Sequence, residues 1–246
     1  MRLLRMVAAA GIAAMTMIGL NAPSLAAPAP GAYNWSGFYV GAVGSAGMFT
    51  VNQEDYWCDN ACNAPTLQDW HASIGGQLGA NWQNGNLVLG LVGDWSTGFK
   101  EEERVLFDPP GTPDGVTWKG EWNWYATVRA KAGMSVGNAL IFATGGIAIV
   151  DVDYSALGFT NGNPPDCVNV DNCASVSDTK VGLAVGGGAG FPITDRITAE
   201  FEYLYIGLPW DKNRYTNNND PGATDEYVSW TTDAQLARVA LDWHFN

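Results

Sequence analysis

Ten charged side chains, five of each sign, are the residues of this 246-residue chain best spaced to act together. Asp94, Glu121, Glu200, Glu202 and Asp242 stand against Arg129, Lys131, Lys180, Arg196 and Arg238, each on the polar parity of a segment that alternates apolar and polar residues. Enclosed by a sheet, such a set can do one of two things. It can pair off as the filling of a narrow lumen, because a lone buried charge is costly. It can also line a conduit and guide cations through it.

The other reactive residues are sparse. His71 and His244 are the two histidines, far apart in sequence. His71-Ala72-Ser73 brings a histidine and a serine onto one face near the end of a segment, the arrangement a lipid-modifying enzyme could use, but no matching motif surrounds it. The four cysteines fall in two polar stretches, Cys58 with Cys62 and Cys167 with Cys173. In an oxidising compartment they are expected to form the local bridges Cys58–Cys62 and Cys167–Cys173, with cross-loop pairing as the rival. No histidines stand near them to complete a zinc site, and no motif calls for a cofactor. Glu101, Glu102 and Glu103 lead an acidic excess in the polar stretches, where the bases are Lys100, Arg104, Lys212 and Arg214. This excess suits solvated loops, or a rim that binds divalent cations bridging lipopolysaccharide phosphates.

The segments that position these residues are strands. From Glu121 to Met134, the even positions Trp122, Trp124, Ala126, Val128, Ala130, Ala132 and Met134 are apolar and the odd ones mostly polar. This is far longer than the ordinary strand of about 5–6 residues. A strand crossing a bilayer needs about 9–11 residues with aromatics at the lipid boundary. Seven more segments follow the rule. They run from Trp35 to Phe49, Ser73 to Trp82, Leu87 to Ser96, Leu140 to Tyr154, Lys180 to Phe191 and Arg196 to Tyr205, with the last closing on Val239, Leu241, Trp243 and Phe245. In the nearly all-apolar segment from Leu140 to Tyr154, Phe142, Ala148, Val150, Val152 and Tyr154 are expected to face lipid, which turns Asp151 and Asp153 inward. Trp82, Trp95, Trp122, Trp124, Tyr205, Trp243 and Phe245 are expected to anchor the two interfaces.

The connections alternate strictly. Long polar loops are expected over 51–71, 99–117, 155–178 and 207–229, with short turns at Asn84-Gly85-Asn86, Val136-Gly137-Asn138 and Pro192 to Asp195. Eight strands with alternating loop lengths describe an all-β, antiparallel, up-and-down transmembrane β-barrel, with four long loops outside and three short periplasmic turns. An eight-stranded barrel is only wide enough for side chains to fill. The paired filling is therefore the expectation for the charges, and a small cation-preferring pore is the alternative.

The ends and the composition agree. Arg2 and Arg5, the apolar run Met6 to Leu20 and Ser24-Leu25-Ala26 read as a secretory signal over 1–26, cleaved after Ala26. Residues 27–34 form a linker, and 35–246 form the barrel domain. Without the signal arginines, 10 basic residues face 25 acidic ones, a net charge of −15 that argues against nucleic acid as a partner. With 47% hydrophobic and 15% charged residues, the chain is not disordered.

Several stretches resemble the small outer-membrane β-barrel (porin family) proteins of alphaproteobacteria. These are Tyr33-Asn34-Trp35-Ser36-Gly37-Phe38-Tyr39-Val40-Gly41, Gly75-Gly76-Gln77-Leu78-Gly79-Ala80-Asn81-Trp82 and Leu91-Val92-Gly93-Asp94-Trp95-Ser96. Thr127-Val128-Arg129-Ala130-Lys131-Ala132-Gly133, Ala143-Thr144-Gly145-Gly146 and Ala199-Glu200-Phe201-Glu202-Tyr203-Leu204-Tyr205 match as well. The resemblance implies an eight-stranded barrel similar to the membrane domain of the OmpA type, with a structural and surface role in the cell envelope and no enzyme activity. The partners it implies are outer-membrane lipids and lipopolysaccharide around a monomer, and the barrel-assembly machinery during insertion. Val92 stands where such strands commonly carry an acid, and Asn246 follows the terminal aromatic Phe245.

Overall fold

The computed structural model describes residues 33–55, 67–97, 102–107, 115–159, 173–209, 211–214 and 227–245. Ten strands run in chain order: β1 Gly37–Asp55, β2 Leu67–Asn84, β3 Leu87–Thr97, β4 Glu102–Phe107, β5 Gly115–Val136, β6 Ala139–Phe159, β7 Cys173–Pro192, β8 Ile197–Gly207, β9 Asp211–Arg214 and β10 Tyr227–His244. All pair antiparallel in the order β1-β2-β3-β5-β6-β7-β8-β10, and β10 returns to β1 from Tyr39↔His244 to Asp55↔Val228. The eight-stranded barrel is therefore closed and leaves no sheet edge in the lipid, as a bilayer requires. β4 continues the pairing of β3 along β5, and β9 continues that of β8 along β10.

Alternation sorts the two faces. Leu78, Leu91, Val128, Ile141, Leu183, Phe201, Val239 and Leu241 all point outward and are exposed. An exposed apolar band of this extent suits lipid, not water. Trp82, Trp243 and Phe245 stand at the short-turn end of the band and Trp70 and Trp95 toward the other. The short turns are as expected, with Gly85 (φ 61°) and Gly137 (φ 62°) in the left-handed conformation that tight hairpins need.

Three expectations change. First, the strands run well into the stretches read as long loops: β1 reaches Asp55, β2 starts at Leu67, β5 at Gly115, β7 at Cys173, and β4 and β9 lie wholly inside them. Alternation fades there in the sequence while the backbone pairing continues. Among the described residues, β2 before Ile74 and β7 before Leu183 have strand pairing on one side only. The wall there separates into β9-β10-β1-β2 and β4-β5-β6-β7.

Second, β5 carries a bulge. Trp122 pairs with Val152 and Trp124 with Asp151, leaving Asn123 as the extra residue. One inserted residue flips every side chain before it to the other face. Trp122 is consequently inside the barrel and 1% exposed, not an interface anchor, while Glu121 is moved to the outer face and out of the lumen. Trp124 keeps its outward position.

Third, β6 has the opposite facing to that expected. Phe142, Ala148, Val150, Val152 and Tyr154 are buried inside and Ile141 and Ile147 face lipid. Asp151 and Asp153 stand outside near the bulge, where Asn123 Nδ2 donates to Asp153 Oδ2 at 2.6 Å and Asp151 Oδ2 at 3.3 Å, and Thr179 Oγ1 donates to Asp151 Oδ1 at 3.4 Å.

Candidate functional site

The lumen is filled in three layers. The floor, at the short-turn end, is made by the residues just before β1. Trp35 is fully buried against Val88, Leu140 and Phe142, with Tyr33 packed on it. Its backbone N–H donates to Gln83 Oε1 at 2.8 Å, Gln83 N–H donates to Ser36 Oγ at 3.0 Å, and Tyr33 N–H donates to Asn138 Oδ1 at 3.2 Å. The stretch Tyr33–Ser36 thereby straps two short turns across the barrel's end. Burial, then the charges of Asp195 and Asp242, push the Tyr33 phenol above its ordinary range. His244 belongs to this floor, stacked on Tyr39 at 5.4 Å with Nε2 at 3.1 Å from Thr198 Oγ1.

The middle layer is charged. Arg129 on β5 and Arg238 on β10 alternate with Asp94 on β3 and Glu202 on β8 in a closed square. Arg129 Nη2 donates to Asp94 Oδ2 at 2.8 Å and Arg129 Nη1 donates to Glu202 Oε1. Arg238 Nη1 donates to Glu202 Oε2 at 3.1 Å. Arg238 Nη2 lies 3.1 Å from Asp94 Oδ1, close enough for an ion pair but not aligned as a hydrogen bond. Thr127 and Thr144 complete the shell. Thr127 Oγ1 donates to Asp94 Oδ2 and Thr144 Oγ1 to Glu202 Oε1, and each accepts from Arg129 at 2.9 Å. Beside the square, Lys131 Nζ donates to both Glu200 oxygens at 2.7 and 2.8 Å and to Tyr39 Oη at 3.3 Å, under the Phe142 ring. Charges this deeply buried are tolerated only when paired and hydrogen-bonded, and breaking such a pair costs about 3–5 kcal/mol.

The top layer is apolar. Phe49, Val51, Trp122, Tyr125, Val150, Val152, Tyr154, Leu204, Ile206 and Leu236 form one buried cluster above the charges. The charged layer thus lies between two apolar clusters.

Of the ten charged residues read from parity, the structure brings seven together: Asp94, Arg129, Lys131, Glu200, Glu202, Arg238 and Asp242. Lys180 has inward register near the outer mouth, where its partner is Asp178 at 2.6 Å. Arg196 does not line the lumen. It lies exposed in the turn between β7 and β8, where its carbonyl accepts from His244 N–H at 2.8 Å. Glu121 is outside, as described. His71 is buried in the upper lumen, edge-on to Phe49 at 6.2 Å, at the opposite end from His244. Ser73 is buried too and bonded to Ser45. Cys58, Cys62 and Cys167 lie outside the described residues, as do Lys100 and Glu101, and Cys173 opens β7. No metal-binding group of His, Cys, Asp or Glu occurs among the described residues.

Sequence reading missed the seats. Inward glycines let a neighbouring strand's side chain lie flat on the wall: a Cβ on Gly41 would stand 2.0 Å from Asp242 Oδ1, on Gly79 2.4 Å from the Tyr39 ring, and on Gly90 2.2 Å from Asn81 Oδ1. The signal was present as glycines on the polar parity, but which side chain each one seats depends on register.

The family model for the outer membrane protein β-barrel domain matches residues 12–245. A 22 kDa outer membrane protein of Rhizobium leguminosarum is 29% identical over 181 residues, 73% of this chain and 67% of that one. A 31 kDa outer-membrane immunogenic protein of Brucella melitensis is 28% identical over 251 residues, 98% of this chain and 95% of its own. Among solved structures, the outer membrane protein OprG of Pseudomonas aeruginosa aligns over 87% of this chain and 98% of its own, at 10% identity and a TM-score of 0.46. With a closed eight-stranded wall, a lipid-facing apolar band and a family match spanning nearly its whole length, the chain belongs to the outer-membrane β-barrel proteins and resides in the cell outer membrane.

Proposed function

We propose that this barrel is a non-enzymatic structural protein of the envelope that presents its outer segments at the cell surface, and that its lumen is a packed core, not a conduit. The observation that carries this reading is the ion-paired square held between two apolar layers. A diffusion pore needs a continuous hydrated path past its charges, whereas here Arg129, Asp94 and Arg238 are each at most 6% exposed. The lipid-modifying alternative, which could use His71 or the acids of the rim, loses the first of these, because His71 and Ser73 point into the core, away from any lipid.

The same reading assigns partners. The outward Leu, Val and Trp band suits membrane lipid and lipopolysaccharide, the outward aromatics Trp243 and Phe245 at the end of β10 suit the barrel-assembly machinery, and the chain acts as a monomer. The test is a deletion strain. Its cells should become more sensitive to detergents and bulky antibiotics while small hydrophilic nutrients enter at the parental rate, and His71→Ala should restore the parental phenotype with unchanged lipopolysaccharide. Slowed nutrient uptake behind an intact barrier would instead establish a diffusion pore.

A further inference from the structure

The buried charges of the lumen do not balance. Among the described residues, Asp94, Glu200, Glu202 and Asp242 face only Arg129, Lys131 and Arg238. The square accounts for two acids and two guanidiniums, and Lys131 is taken by Glu200. Asp242 is left over. It is 1% exposed, Gln77 Nε2 donates to its Oδ1 at 2.8 Å, and its Oδ2 has no hydrogen-bond partner. The remaining bases are elsewhere, with Lys180 on Asp178 and Arg196 exposed in a turn. A buried carboxylate with one neutral donor and no counter-charge is strongly disfavoured.

We infer that Asp242 is a single-cation site, at which the folded barrel holds one extra unit of positive charge, supplied by a proton or by an alkali cation. The groups around it fit a small occupant. On β10 it stands between Arg238 and His244, on β8 it faces Thr198 and Glu200, and opposite it on β1 is Gly41, which has no side chain, with Tyr39 beyond. Gln77 approaches from β2 and Lys131 from β5, and Tyr33 lies below. Of the lumen cations, Lys131 is ion-paired with Glu200, and Arg238 with Asp94 and Glu202.

The consequence is a measurable linkage. The native state would bind one more cation than the unfolded chain, so its folding equilibrium constant should fall about tenfold per unit rise in pH if the occupant is a proton. It should instead rise about tenfold per tenfold increase in sodium if the occupant is an alkali cation. The test reads the urea midpoint of the refolded mature chain in lipid vesicles. Mildly acid and mildly alkaline buffers are compared, each with sodium chloride or an equal concentration of bulky tetramethylammonium chloride.

The wild type should respond to pH alone or to sodium at fixed pH, which names the source. Asp242→Asn keeps the Gln77 contact, so it should lose that response and match or exceed the wild type in alkaline tetramethylammonium. Asp94→Asn, which breaks the square, should lose stability in every buffer. An Asp242→Asn variant as damaged as Asp94→Asn, or a wild type indifferent to both pH and sodium, would overturn the inference. This deepens the packed-lumen reading yet fails separately from it, since ion conduction through the barrel is read in a bilayer whatever Asp242 binds.

Discussion

Arg129 bonds acids on two different strands, so its loss strands both of them on Arg238 alone. Arg129→Met should cost about 3–5 kcal/mol of unfolding free energy, because it leaves buried carboxylates short of a counter-charge. Adding Glu202→Gln removes one of those acids, so the double variant should be less damaged than the sum of the two singles, with a coupling of about 0.5–3 kcal/mol. Urea midpoints of the four proteins in vesicles give this cycle directly, and strict additivity would mean that the square is not a unit. The glycine seats make a sharper contrast. Gly41→Ala would place a Cβ 2.6 Å from the Leu241 carbonyl, which cannot move aside, and should cost about 1–3 kcal/mol by overpacking. Gly44 lies on the same strand with nothing within 4 Å of its added Cβ, so Gly44→Ala should leave the midpoint within about 0.5 kcal/mol of the wild type.

The strands were legible because lipid and lumen demand different side chains on alternate residues: β2 from His71 and the end of β10 follow that demand, while β3 and β8 keep the alternation but turn Val88, Val92, Leu204 and Ile206 inward. Two elements were not. A bulge adds one residue without changing composition, so parity carried Trp122 and Glu121 to the wrong faces. β6 is apolar on both faces because its outer half lines an apolar layer inside while its other face meets lipid, and the acids Asp151 and Asp153 sit above the belt where Asn123 serves them. The three-layered filling was hidden for the same reason, since polar parity marks which residues point inward and not the height at which they meet. The bulge is testable. Trp122→Ala should open a cavity in the upper core and cost about 3–5 kcal/mol, whereas Trp124→Ala on the outer face should cost markedly less. Equal losses on the two variants, read by urea midpoint, would contradict the register shift.

At the scale of the whole molecule the described barrel is crossed by three layers of its own residues. Tyr33–Ser36 crosses the periplasmic end, the charged square crosses the middle, and the Phe49–Trp122 cluster crosses the outer half. Three barriers in series mean that weakening one should not open the lumen: Trp35→Ala is expected to lower the unfolding midpoint while leaving ion permeability unchanged. The measurement that tests the filled lumen most directly is single-channel recording of the refolded mature protein in a planar bilayer, with folding verified on the same sample by its heat-dependent shift in gel mobility. A folded barrel that passes no stepwise current across the usable voltage range is the predicted result. Steady, cation-selective steps that disappear when Glu200 and Arg129 are replaced would contradict it, and would make the charged layer a filter instead of a core.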